Sequence, residues 1–146
     1  VKIAQFTKKL TLGEDSGLCV DALDGKPGVY SSRFAGKAKS DLKNNLKLLK
    51  LLEDLSQSKR KAHYSCAVAL ADKNGLVIRA EGECRGFIGF KLKGAFGFGY
   101  DPLFVIPKHK KTFAQLGARI KHKMSHRFIA LQKIKPILAT YLKTNP

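Results

Sequence analysis

The stretch from Ala62 to Ile88 constrains the fold more than any other. Ala62, Tyr64, Cys66, Val68 and Leu70 alternate with smaller or polar residues, which is the period of a half-buried strand. Asp72-Lys73-Asn74-Gly75 follows, and Asn-Gly is the strongest short hairpin signal. Leu76-Val77-Ile78 opens a return strand that runs through Glu81-Gly82 to Gly86-Phe87-Ile88, where the glycines predict a bulge or bend. The rest of the chain must therefore be arranged around a long strand pair.

Taken in order, residues 1–10 predict a short amphipathic helix with Ile3, Phe6 and Leu10 inward. Thr11 to Glu14 reads as a short strand that exits into Glu14-Asp15-Ser16-Gly17, and Leu18 to Leu23 is a second apolar piece. Asp24-Gly25-Lys26-Pro27-Gly28 is a turn. Tyr30 to Gly36 is a loop with hydroxyls and one arginine. Ser40 can cap a helix whose stripe is Leu42, Leu46, Leu49 and Leu52. After the strand pair, Leu103 to Ile106 reads as a buried strand and Thr112-Phe113-Ala114-Gln115 as a helix start. Ser125 can cap a last helix from His126, in which Pro136 predicts a kink or break. This order gives an α/β fold: a mixed central β-sheet flanked by helices, in one domain over residues 1–146.

With 28 Lys and Arg against 11 Asp and Glu, the net charge is +17. Such a balance favours phosphate-bearing partners, nucleic acid or small molecule. The lysines outnumber the arginines and spread along the whole chain, so most of this charge reads as solvated faces. No apolar run approaches the roughly 20 residues that span a bilayer. Cys19, Cys66 and Cys84 are scattered in apolar strands, as expected of reduced core residues in the cytoplasm.

Three groups of residues could carry chemistry. Gly97-Phe98-Gly99-Tyr100-Asp101-Pro102 alternates glycines with aromatics and holds Asp101 extended before a proline. Phe98 and Tyr100 offer faces on which a base can stack. Glu14 and Asp15 are adjacent carboxylates, hard oxygen ligands of the kind that hold Mg²⁺ together with substrate phosphates. One would hold the ion and the other would orient a water. Lys121, Ser125, His126 and Arg127 gather at the start of the last helix, whose N-terminus favours anions. His122 and His126 have a zinc-compatible spacing but no third ligand at a persuasive distance.

Together these pieces resemble the inosine triphosphate pyrophosphatase family. The matching segments are GEDSGLCVDALDGKPGVYSSRFAG at 13–36, DLKN at 41–44, YSCAVAL at 64–70, GECRGFI at 82–88, GAFGFGYDPLF at 94–104, TFAQL at 112–116 and KHKMSHRFIAL at 121–131. The resemblance implies two lobes with a nucleotide cleft between them. It implies Mg²⁺-dependent cleavage of ITP, dITP or XTP to the monophosphate and pyrophosphate, by a cytoplasmic homodimer with no stable nucleic-acid partner and no membrane. It places the catalytic carboxylate at Asp15, with Glu14 beside it at the metal. Substrate contacts fall at Ser16, at Phe98, Gly99, Tyr100 and Asp101, and at Lys121, His126 and Arg127. It also implies a strand, a phosphate-cradling loop and a helix before Val1, so this chain alone is expected to be impaired as an enzyme.

Overall fold

The computed structural model describes residues 1–144. β3 (Lys61–Asp72) and β4 (Gly75–Ile88) form the expected hairpin. β1 (Thr11–Val20) lies antiparallel along the other side of β3 over its full length, with Glu14 opposite Val68 and Ser16 opposite Cys66. β2 (Pro27–Gly28) covers only Leu18 and Cys19 of β1, after a cis Lys26–Pro27 bond. β5 (Phe104–Ile106) and β6 (Lys111–Thr112) complete a sheet of order β2-β1-β3-β4-β5-β6. The α/β fold stands as expected. Its sheet, read from sequence as mixed, is antiparallel at every pairing among the described residues.

Period-two alternation decides what each face of this sheet carries. Leu18, Val20, Ala62, Tyr64, Cys84 and Ile88 point into the main core, where Phe104 and Phe113 pack beside them. α2 (Asp41–Leu51) adds Leu48 to that core, and Leu52 just beyond it joins in. α3 (Phe113–Lys121) is opened by a capping box between Thr112 and Gln115 and contributes Phe113. α4 (His126–Thr144) packs on β3 and β4 through Ala130 and Ile134, against Cys66 and Val68. Gly82 permits this approach, because a Cβ there would collide with the His126 carbonyl and the Ala130 amide. The first turn of α4 therefore rests on β4, and this fixes where His126 and Arg127 sit.

Several local expectations are corrected. α1 (Lys2–Thr7) buries Ala4, while Ile3 and Phe6 face outward. Glu14 to Gly17 lie inside β1 and not at a strand exit, because β3 continues opposite them. In α2 the inward face carries Asn44, Asn45 and Leu48, and Leu42 and Leu46 are exposed. The two asparagines hydrogen-bond neighbouring loops, which a purely apolar stripe could not do. The irregularity of the hairpin falls at Leu70/Ala71 and not at the glycines of β4. α4 runs through Pro136 without a break, and its packing on the sheet outweighs one missing N–H.

Arg60, between α2 and β3, is almost completely buried. Its guanidinium donates to the carbonyls of Leu52, Leu55, Ile88 and Gly89 and so ties the end of α2 to the end of β4.

Candidate active site

The loop 94–101 enters the fold through its own hydrogen bonds. Asp101 is almost completely buried, and its Oδ2 accepts from the Phe98 amide at 3.1 Å. Gly97 stands at φ +83°, and a Cβ there would strike the Asp101 carboxylate. Both facts require glycine at this position. α2 grips the same loop from the side. The Gly99 amide donates to Asp41 Oδ2 at 2.7 Å, and Asn45 Nδ2 donates to the Gly99 carbonyl at 2.8 Å. The Tyr100 hydroxyl donates to the Ser31 carbonyl at 2.8 Å. Phe98 is thereby held while 62% exposed. An aromatic ring fixed by its backbone yet open to solvent is suited to stacking.

The cationic residues come to this ring from α3 and α4. Lys121 lies at the end of α3 and not at the start of the last helix, where Ser125 caps α4. Lys121 Nζ bonds Asp101 Oδ2 at 2.5 Å and stands 4.4 Å from the Phe98 ring centroid. Arg127 Cζ is 5.9 Å from the same centroid. His126 is buried and stacks on Tyr64, with ring centroids 4.7 Å apart and planes at 13°. Burial, helped by the Lys121 and Arg127 charges, pushes the imidazole down to about 4, so it is neutral at neutral pH. Its Nδ1 is buried without a hydrogen-bond partner. Such an atom costs free energy until a ligand or water meets it.

These residues enclose a cavity of about 150 Å³. Ser16, Gly17 and Leu18 of β1 line it on one side, opposite Phe98, Lys121, His126 and Arg127. Tyr64, Ser31, Ser32 and Asp41 also line it, and sequence reasoning had not singled them out as site residues. The hydroxyl-rich YSSRFAG stretch was the available signal for the two serines. Nothing in a strand pattern distinguishes Tyr64 from a core tyrosine.

The structure separates the two carboxylates. Glu14 and Ser16 face the cavity side of the sheet with Cys66, and Arg127 Nη2 donates to Glu14 Oε1 at 3.0 Å. Burial raises the Glu14 carboxyl, but the Ser16 hydroxyl and the Arg127 guanidinium outweigh it and hold the acid below its ordinary value. Asp15 points to the opposite face, where it borders a second depression with Cys19, Val29, Ser65 and Ala67. Its Oδ1 accepts only from the adjacent Ser16 amide, at 3.0 Å, and it has no basic partner among the described residues. Ser16 and Gly17 line both cavities. On that side β1 is paired only at Leu18 and Cys19 among the described residues, so the two cavities meet around an open strand edge. His122 is exposed and no cluster suited to a metal ion forms around the two histidines among the described residues.

The chain is similar along nearly its whole length to known proteins. The model of the Ham1 family matches residues 1–137. A dITP/XTP pyrophosphatase from Desulforamulus reducens is 54% identical over 135 residues, which cover 92% of this chain and 67% of that protein. One from Exiguobacterium sibiricum is 50% identical over 139 residues, or 95% of this chain and 70% of that protein. Among solved structures, the Staphylococcus aureus Ham1 protein superimposes with a TM-score of 0.90 at 37% identity, covering 95% of this chain and 71% of that one. The Coxiella burnetii HAM1 protein does so with a TM-score of 0.87 at 38% identity, covering 94% and 71%. Sequence and overall fold thus agree, and the chain belongs to the Ham1 family.

Proposed function

We propose that this protein hydrolyses non-canonical purine nucleoside triphosphates, ITP, dITP and XTP, to the monophosphate and pyrophosphate. The names of its relatives support the substrate class. The observation that carries the reading is the pair of cavities joined at Ser16 and Gly17. A purine stacked on Phe98 would lie on the cationic side. Its phosphates would pass around the open edge of β1 to Asp15.

Base recognition rests on donors. Arginine carries five N–H donors and no acceptor. Beside the stacking ring, Arg127 offers a donor to a 6-oxo purine, and the orphan Nδ1 of His126 gains a partner when the pocket fills. A 6-amino purine sets donor against donor. The mismatch costs about 1–3 kcal/mol, or roughly ten- to hundred-fold in rate.

On the opposite face, Asp15 fits Mg²⁺ as one oxygen ligand, with substrate phosphates completing the shell. Glu14 does not fit the same ion through this strand, since its carboxylate faces the other way and is occupied by Arg127 and Ser16. When bound, Mg²⁺ supplies charge neutralisation on the phosphates. Asp15 also accepts a hydrogen bond from the water that attacks phosphorus. Ser16 and Gly17 shape the passage between the two faces.

The same reading takes the protein as a cytoplasmic homodimer with no stable nucleic-acid partner. Its three cysteines are free thiols, as a reducing compartment would keep them. No helix among the described residues is long and apolar enough to cross a membrane. Arg127→Ala should narrow the ITP-to-ATP preference about tenfold or more in kcat/KM. Steady-state assays on both nucleotides check this, and an unchanged ratio would remove Arg127 from base recognition.

A further inference from the structure

Glu14 and Arg127 meet at two points beside the base pocket. Arg127 Nη2 donates to Glu14 Oε1 at 3.0 Å, and Nε stands 3.0 Å from Oε2. The Nε–H is not aimed well enough to make a second hydrogen bond, so that side of the contact is electrostatic. Glu14 is itself held in place. Its Oε1 also accepts from the Ser16 hydroxyl at 2.5 Å and from Cys66 Sγ at 3.6 Å. Ser16 and Cys66 are opposite one another on β1 and β3, so the carboxylate is anchored to the sheet. Arg127 is the second residue of α4 and is free to rotate about several side-chain bonds. A guanidinium held by a hydrogen bond from Nη2 and drawn to the carboxylate at Nε is restrained in its plane, and so is the direction of its remaining N–H groups.

On the reading proposed above, we infer that Glu14 is a positioning residue for purine selectivity. It orients the Arg127 guanidinium so that the donors left over face the edge of a base stacked on Phe98. The adjacent carboxylates then divide the work by strand alternation, Asp15 at the phosphates and Glu14 behind the base reader. Without Glu14 the guanidinium is free to turn away from the base, and the hydrogen bond that it gives a 6-oxo group weakens. Selectivity is lost while stacking affinity remains.

Calorimetric titration of IMP and AMP isolates this step, because neither ligand has a triphosphate to hydrolyse. The wild-type chain is expected to prefer IMP by about tenfold or more. Glu14→Gln removes the charge and leaves one acceptor, so either Nη2 or Nε of the guanidinium faces an N–H in place of a carboxylate oxygen. It should reduce that preference at least about threefold, chiefly by weakening IMP, with AMP affinity nearly unchanged. In an Arg127→Ala background the same change should have no further effect on the ratio. A merely structural role would weaken both ligands alike and would persist in that background. Glu14→Asp keeps the charge but is one methylene short, and should give an intermediate preference. It decides the matter should Glu14→Gln not fold. An IMP preference that survives the Glu14 substitutions overturns this inference alone. A wild-type chain with no preference removes the purine reading, and the inference with it.

Discussion

Asp15→Asn should lower pyrophosphate release from ITP by about 10²- to 10⁴-fold, the range for loss of a catalytic acid or base. The same variant should keep its fold. Asp15 is exposed, makes its one hydrogen bond to the neighbouring Ser16 amide, and pairs with no cation among the described residues. Surface substitutions of that kind change stability by roughly 0.5 kcal/mol or less. Asparagine also preserves shape and the acceptor oxygen, so only the charge is removed. Nucleotide binding measured without metal should stay within about twofold, since the base pocket lies on the other face of β1. Turnover at the wild-type rate would take Asp15 out of the reaction. Loss of binding in step with turnover would mean that the two faces are not independent.

Asp101→Ala should have the largest effect on stability. Asp101 is 1% exposed, and it answers both the Phe98 amide and the Lys121 ammonium, whose side chain is only 12% exposed. Removing it leaves a nearly buried cation above the faces of Phe98 and Phe113, with no counter-charge. Breaking a buried pair by deleting one partner costs about 3–5 kcal/mol. Lys121 reaches solvent slightly, so the lower end applies, roughly 3 kcal/mol or about 10 °C in Tm. The functional loss should exceed what unfolding explains. Without Asp101 the Phe98 amide has no acceptor and the stacking ring is no longer fixed. Thermal denaturation and IMP titration below the transition check both parts. Asp101→Asn, which keeps an acceptor for the amide, should be intermediate. A wild-type Tm for Asp101→Ala would show that the pair contributes nothing.

Local chemistry made much of this legible. Asn74-Gly75, the alternation of β3, and the caps at Ser40, Thr112 and Ser125 are written in short windows, and the structure follows them. The loop around Phe98 was legible because Gly97, Phe98, Gly99 and Asp101 each have a local reason to be there. What escaped depends on neighbours distant in sequence. Glu14 and Asp15 read as the exit of a strand because carboxylates and glycine favour strand ends, yet pairing with β3 keeps them inside β1 and sends them to opposite faces. Asn44 and Asn45 replace leucines on the inner face of α2 because the loops they bond lie 9 to 54 residues away. Tyr64 enters the site only because α4 brings His126 onto its ring.

The most direct test of the account is pyrophosphate release from ITP, with ATP and GTP beside it, in Mg²⁺ and in chelator. The account predicts IMP and pyrophosphate from ITP in Mg²⁺, at least about tenfold faster than the corresponding reaction of ATP, and none in chelator. Release from no nucleotide, or equal rates with ITP and ATP, would contradict it.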